Sequence, residues 1–385
     1  MTTDAGRIVP LRGGVPTELV RRALEVRAAG DVPLLGDDRW SDPYWRAVCD
    51  RAAVAGAQPG QAWATTTSGT TGAPRIVLRT ADSWASSFAP VAQLLGTGPD
   101  DVLALASPPA SSLSLFSIAH AAAAGFALIL PSRHVLTADE AQDATLFHGT
   151  PSGLRRLLDD GRPPRLRAAL VGGASLDPAL RERATALGVR VVSYYGAAEL
   201  SFVAVDDGTD PEQPGLRAFP GVELEVRDEV LWVRSPYLAS GTLGEPGALH
   251  RDGDWATVGD RARLDGARLS LLGRRDDAIL TAAATVIPSD VEEALRLVDD
   301  IADAVVFGLP NEGVGELVTA VVEARPGARP TRAELRAAVT RLLPPSHHPR
   351  RWFIVDELPR TTTGKAARAA LIERVRAGEV ATLAP

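Results

Sequence analysis

The chain has 385 residues, of which 45% are hydrophobic and 23% charged, and a formal net charge of -7 at pH 7. This length and balance fit a globular protein of two or three domains and exclude a fibrous or disordered chain. The acidic balance argues against a surface devoted to nucleic acid or anionic lipid, and the single cysteine, Cys49, leaves no disulfide framework or cysteine-rich metal site.

Residues 1–10 carry both charge signs and no apolar run, so no secretory signal is expected and the chain is placed in the cytoplasm. Residues 65–75, Thr-Thr-Thr-Ser-Gly-Thr-Thr-Gly-Ala-Pro-Arg, pack six hydroxyl residues, two glycines and one cation into one stretch. Such a loop can wrap a polyphosphate, because glycine lets backbone N–H groups approach the oxygens while hydroxyls donate and a guanidinium neutralises charge. It lacks the Gly-Lys-Ser/Thr ending of a Walker A loop, and alone it reads equally well as a flexible linker.

From residue 101 to 193 short apolar runs at 101–106, 126–130, 168–171 and 189–193 alternate with helix-period segments, which predicts a mostly parallel sheet with helices on its faces. Thr137 and Glu140 have capping-box spacing, and Asp177-Pro178 can start the helix before the last of these strands. The apolar stretch 118–131, broken by His120 and Gly125, is too short to span a bilayer as a helix and reads as a buried helix running into a strand. Between residues 222 and 272, closely spaced apolar runs separated by turns such as Asp252-Gly253-Asp254 and Asp265-Gly266 predict antiparallel β structure. After Gly273 the style changes again. Ser289 to Glu292 and Thr331 to Glu334 have capping-box spacing, strands are expected at 304–309 and 316–322, and loops at 324–331 and 344–349, which together make a small α+β domain.

At the phosphate-loop candidate the chain resembles the adenylate-forming superfamily of acyl-CoA synthetases, luciferases and peptide-synthetase adenylation domains, with Arg75 in place of the loop's usual lysine. The resemblance continues in order through Gly172-Gly173-Ala174, Tyr195-Gly196-Ala-Ala-Glu199, Thr257-Val-Gly-Asp260, Gly273-Arg274-Arg-Asp276-Asp277 and Pro359-Arg-Thr-Thr-Thr-Gly-Lys365. It implies an α/β fold: a large N-terminal domain, residues 1–274, with mostly parallel sheets and a small β subdomain, then a small mobile α+β domain, residues 275–385. It also implies ATP, Mg2+ and coenzyme A as cofactors and a small carboxylic acid as substrate.

In that resemblance Thr67, Ser68, Gly69, Thr70, Thr71 and Gly72 form the phosphate loop with Arg75. Gly173, Ala174, Tyr195 and Gly196 line the adenine site, Tyr195 stacking on the base. Asp260 accepts from the ribose hydroxyls, and Arg274 contacts ribose or phosphate. Glu199 ligates magnesium with help from Thr70, as suits a cation that prefers oxygen ligands. Lys365, the chain's only lysine, is the catalytic cation, and Asp276 is the hinge about which the small domain rotates between half-reactions. Ser111, Ser112, Phe116, His148, Gly172 and Phe202 are expected to enclose the acyl group. Taken singly these residues say little: a Tyr-Gly pair reads as a strand-to-turn transition, and His148 as a core or loop histidine.

Three departures qualify the resemblance. Ala198 stands where a threonine normally contacts the α-phosphate. Ala282, Ala283 and Ala284 stand where glycines usually line the channel for the pantetheine arm, which leaves an acyl carrier protein or a nitrogen nucleophile open as acceptor. The chain is also shorter than most members before the loop, like the compact ligases of the succinylbenzoate type. A nucleotide-binding homologue without turnover is the alternative of another class, and the joint presence of Glu199, Asp260 and Lys365 speaks against it.

Overall fold

The computed structural model describes residues 6–68, 74–132, 135–209, 215–243, 249–274, 279–281, 284–311, 315–343, 345–361 and 365–383; at 67, 68, 74, 273, 274, 280, 281, 284, 285 and 315 only the backbone is considered. By internal contacts the chain divides into two compact units, one of Met1–Val258, Leu264–Ser270 and Thr362–Lys365, the other of Gly259–Arg263, Leu271–Thr361 and Ala366–Pro385.

The first unit opens with a small sheet. Strands Ile8–Leu11, Val32–Leu35 and Gln61–Ser68 run parallel, and Pro74–Thr80 returns antiparallel beside the last of them, with Gly241–Leu243 on its far edge. Ile8, Val32, Leu34, Val48, Ala52, Ala64, Ile76 and Leu78 form its core, so helix Asp42–Ala55 is held by its apolar face. The register between the strands Gln61–Ser68 and Pro74–Thr80 pairs Thr67 with Arg75 and Ser68 with Pro74.

The parallel sheet expected between 101 and 193 is present. Its order is Ala127–Ile129, Val102–Leu105, Leu146–Gly149, Ala168–Gly172 and Arg190–Ala197, all parallel. Leu146–Gly149 is an additional strand; all four residues are buried, as in a strand covered on both faces. The strand Ser201–Asp206 then turns the sheet antiparallel. Helix Ser112–Ala124 is buried along 114–121, in agreement with the expected buried helix. The antiparallel region follows, with Glu223–Arg227, Val230–Arg234, His250–Asp252 and Trp255–Thr257 paired edge to edge.

The Thr137–Glu140 box closes, each residue receiving the other's backbone N–H, but it caps turns rather than a helix. Ala141 and Ala144 must drop into the core before the strand at Leu146, which leaves no length for a helix. Asp177 caps the helix Pro178–Ala186 as expected.

In the second unit a long hairpin, Ile301–Asn311 with Gly315–Ala324, carries Arg351–Val355 parallel on its edge. Alternate residues of this hairpin face two cores: Ala304 and Val306 join Val291, Leu295, Leu335 and Trp352, while Val305 and Phe307 join Leu358, Leu371 and Val375. Thr331 and Glu334 form a complete capping box for helix Arg332–Leu342. The Ser289–Glu292 box does not form. Its helix starts at Pro288 with Ile287 as N-cap, and the Glu292 carboxylate accepts instead from Val306 N–H at 2.9 Å and from Arg368 at 2.7 Å. Among the described residues no helix is long and apolar enough to cross a membrane.

Candidate active site

Glu199 sits at the tip of the hairpin between Arg190–Ala197 and Ser201–Asp206, where Leu200 N–H donates to Ala197 O at 3.1 Å. The turn is tight enough that a Cβ on Gly196 would lie 2.1 Å from the Ser201 carbonyl oxygen, and Ser201 itself takes a left-handed φ of 61°. Only glycine fits at 196. The turn is also tied from outside, since Ala239 N–H donates to Glu199 O at 2.8 Å. The Glu199 side chain is buried, and Arg75 brings Nη1 to 3.9 Å from its Oε1.

Arg75 is the second residue of the strand Pro74–Thr80, and its buried Nε finds no acceptor among the described residues. A buried donor without a partner costs free energy, and a phosphate oxygen is the acceptor that a guanidinium matches best. Gly69, Thr70, Thr71 and Gly72 lie outside the described residues, as does the Thr70 half of the expected metal pair. Thr67 and Ser68 end the strand Gln61–Ser68.

Gly172 closes the strand Ala168–Gly172, and Gly173 follows at φ 86°, a conformation that favours glycine. Lys365 is exposed and grouped with the first unit; a Cβ on Gly173 would lie 3.4 Å from Lys365 Cε. Tyr195 and Gly196 occupy the last turn of the strand, half-buried, and Ala174 is exposed. Asp260 begins the strand Asp260–Asp265, and the backbone of Arg274 ends Arg268–Arg274; both belong to the second unit. Asp276 lies outside the described residues.

The residues expected around the acyl group converge, but on each other. Ser111 caps the helix Ser112–Ala124 through Ser114 N–H at 3.1 Å and is wholly buried, and Ser112 follows it half-buried. Phe116 packs edge-on to Phe202 with ring centroids 4.9 Å apart. His148 takes part in two hydrogen bonds, from Nδ1 to Ser117 Oγ at 2.7 Å and from Nε2 to the Tyr194 hydroxyl at 3.0 Å. Burial, with His120 adding to it, pulls the His148 imidazole down to about 3, so the ring is neutral at pH 7.

Two residues passed over in the sequence belong to this region. Tyr194 hides beside the motif tyrosine, and nothing local marks which of two adjacent tyrosines faces inward. Arg79 lies just past the loop, and its full burial was not legible from a single arginine in an apolar strand. A separate open groove, about 530 Å³, lies elsewhere, among Glu223, Arg234, Arg251 and Asp254 on the antiparallel strands.

The profile of AMP-binding enzymes matches residues 20–250, and that of the AMP-binding enzyme C-terminal domain matches residues 290–365. The chain is 32% identical to the probable 2-succinylbenzoate–CoA ligase of Mycobacterium tuberculosis over 82% of its own length and 84% of the relative's. It is 27% identical to the 2-succinylbenzoate–CoA ligase of Salmonella typhimurium over 67% of this chain and 57% of that one. Among solved structures, ATP-bound MatB from Rhodopseudomonas palustris superposes with a TM-score of 0.83 at 22% identity, covering 97% of this chain and 90% of MatB. The O-succinylbenzoate coenzyme A synthetase MenE of Bacillus subtilis, in complex with AMP, gives 0.75 at 19%, covering 96% and 89%. At these identities the structural likeness speaks for the fold. With the profile spanning more than half of the chain and a relative above 30% identity over most of it, the chain belongs to the AMP-binding enzyme family, that of the adenylate-forming acyl-CoA ligases.

Proposed function

We propose that this enzyme joins a small carboxylic acid to ATP as an acyl-adenylate, releasing pyrophosphate, and then passes the acyl group to the thiol of coenzyme A with release of AMP. The observation that carries it is a buried carboxylate, Glu199, beside Arg75, whose buried Nε lacks an acceptor among the described residues, with the hydroxyl-rich segment directly preceding Arg75 in sequence. That donor set fits a nucleotide triphosphate.

Among the described residues no group of three or more His, Cys, Asp or Glu side chains could hold a metal by itself. Glu199 therefore fits magnesium as one carboxylate ligand, phosphates and water supplying the rest, and the cation when bound offsets phosphate charge. Arg75 and the hydroxyls of Thr67, Ser68, Thr70 and Thr71 would hold the β- and γ-phosphates. Tyr195 would stack on adenine, and Asp260 would accept from the ribose hydroxyls. Lys365 would donate to the attacking carboxylate and the α-phosphate oxygens while charge grows on the leaving pyrophosphate. Residues 1–274 and 275–385 would move about Asp276 between the two steps, in the cytoplasm. An acyl carrier protein or a nitrogen nucleophile is the second reading for the acceptor, left open by Ala282, Ala283 and Ala284 in place of glycines.

The test is pyrophosphate release with Mg-ATP across short aliphatic, dicarboxylic, aromatic and long-chain acids, with and without coenzyme A. Release that requires an acid and rises with coenzyme A is expected. Lys365→Ala should lower it roughly 100- to 1000-fold while ATP still binds. Unchanged release by that variant would remove Lys365 from the chemistry, and ATP binding without release for any acid would overturn the function.

A further inference from the structure

We infer, on the footing of the function just proposed, that Tyr194 closes the acyl side of the site and restricts the acid to a short aliphatic chain, of acetate to butyrate size. Tyr194 pairs with Gly172 across the parallel strands, and its ring stands over that glycine. A Cβ on Gly172 would fall 2.3 Å from Tyr194 Cζ and within 2.8 Å of both Cε atoms, so not even a methyl group fits between them. The ring packs against Phe202 at 4.7 Å and His148 at 5.7 Å between centroids.

The hydroxyl end is fixed as firmly as the ring. It bonds His148 Nε2 at 3.0 Å, and His148 Nδ1 bonds Ser117 Oγ at 2.7 Å on the neighbouring helix. His148 and Ser117 are 1% and 2% exposed. Swinging Tyr194 aside would break its bond to His148 and leave the buried Nε2 without that partner, which is costly where water cannot replace it.

Beyond the ring the described side chains are closely packed. Phe116 is wedged among Phe202, Trp84 and Phe88 at 4.9, 5.9 and 5.6 Å. The cavity behind it, bordered by Ser117, His148, Leu146 and Leu170, holds about 10 Å³, at the lower limit for one water molecule. Tyr194 thus packs against His148 and Phe202, two of the residues expected to enclose the acyl group. The relatives named for succinylbenzoate take a far bulkier acid, so the inference separates this enzyme from them in substrate while keeping the reaction.

The experiment is acid-dependent ATP–pyrophosphate exchange by the full chain over straight-chain acids from acetate to octanoate, with benzoate and 2-succinylbenzoate, for the wild type, Tyr194→Ala and Tyr194→Phe. The wild type should favour the shortest acids and lose roughly tenfold or more in kcat/KM for each methylene that meets the ring. Tyr194→Ala should move the optimum to longer or aromatic acids, while Tyr194→Phe, which keeps the ring, should retain the short-acid preference. A wild type that exchanges best with octanoate or 2-succinylbenzoate overturns the inference and leaves adenylation standing, and the wild-type profile decides this even if Tyr194→Ala fails to fold. A folded Tyr194→Ala with an unchanged length profile also overturns it. Exchange with no acid at all removes the proposed function and the inference together.

Discussion

Arg79 carries its guanidinium into the interior, 1% exposed, and spends its donors on backbone. Nε donates to Ala198 O at 3.2 Å, Nη2 donates to the same oxygen, and Nη1 donates to Tyr237 O at 2.7 Å, with the group 5.4 Å above the Trp84 ring. Burial pulls its pKa down to about 9, and the charge of Glu199 opposes that, so the side chain stays charged at pH 7. Its role is positional: it anchors the carbonyl directly before Glu199. Arg79→Met should cost about 3 kcal/mol by stranding two buried carbonyls, read by urea unfolding. It should also raise the magnesium concentration that half-saturates pyrophosphate release, and Arg79→Lys should restore stability only in part, because one ammonium cannot span both carbonyls. A stability loss with an unmoved magnesium requirement would make Arg79 purely structural.

The loop that bears Lys365 is gripped at both ends inside the second unit. Arg360 bonds Asp303 at 3.0 Å and Glu323 at 2.8 Å, and Arg368 bonds Glu292 at 2.7 Å. Ala367 N–H donates to Pro359 O at 2.6 Å, and Arg360 and Ala366 form an antiparallel bridge, which brings the two ends of the loop together. This grip explains why the Ser289–Glu292 box is given up: the carboxylate gains more from a half-buried guanidinium and a buried N–H than from capping the helix start. Burial opposes ionisation of Asp303, but the charges of Arg296 and Arg360 outweigh it and hold the carboxyl below its ordinary value of 3.8. A lowered folded-state pKa contributes stability above the unfolded value, and that stability is lost as the pH falls through the folded one. Asp303→Asn should therefore cost about 3 kcal/mol at neutral pH, and the gap from wild type should close as the pH falls below 3.8. A gap that stays constant in acid would argue that the pair is not ionised. The arginines and carboxylates of this grip lie up to 76 residues apart, so no local pattern could reveal it.

At the scale of the whole molecule, the proposed second half-reaction depends on movement about Asp276. Proline there fixes φ near −65° and removes an N–H, so Asp276→Pro should leave pyrophosphate release near that of the wild type and lower thioester formation by an order of magnitude or more. Stopped-flow release and thioester assays on the same variant separate the two steps. Equal loss in both would indicate damage to the fold rather than a blocked rotation.

The ordered motifs determined the family, and the change from helix-strand alternation to closely spaced strands to a third style determined the sequence of α/β, antiparallel and α+β regions. Both are local properties: a glycine demanded by a turn, as at Gly196, or an apolar run of strand length announces itself in a few residues. Tertiary structure alone decided that Leu146–Gly149 is a central strand, that Thr137 and Glu140 cap turns, that Arg79 is buried, and that Tyr194 rather than Tyr195 fills the space over Gly172. Each of these depends on which distant segment packs against the residue. That choice is made by the summed burial of the whole core, and the neighbours in sequence do not carry it.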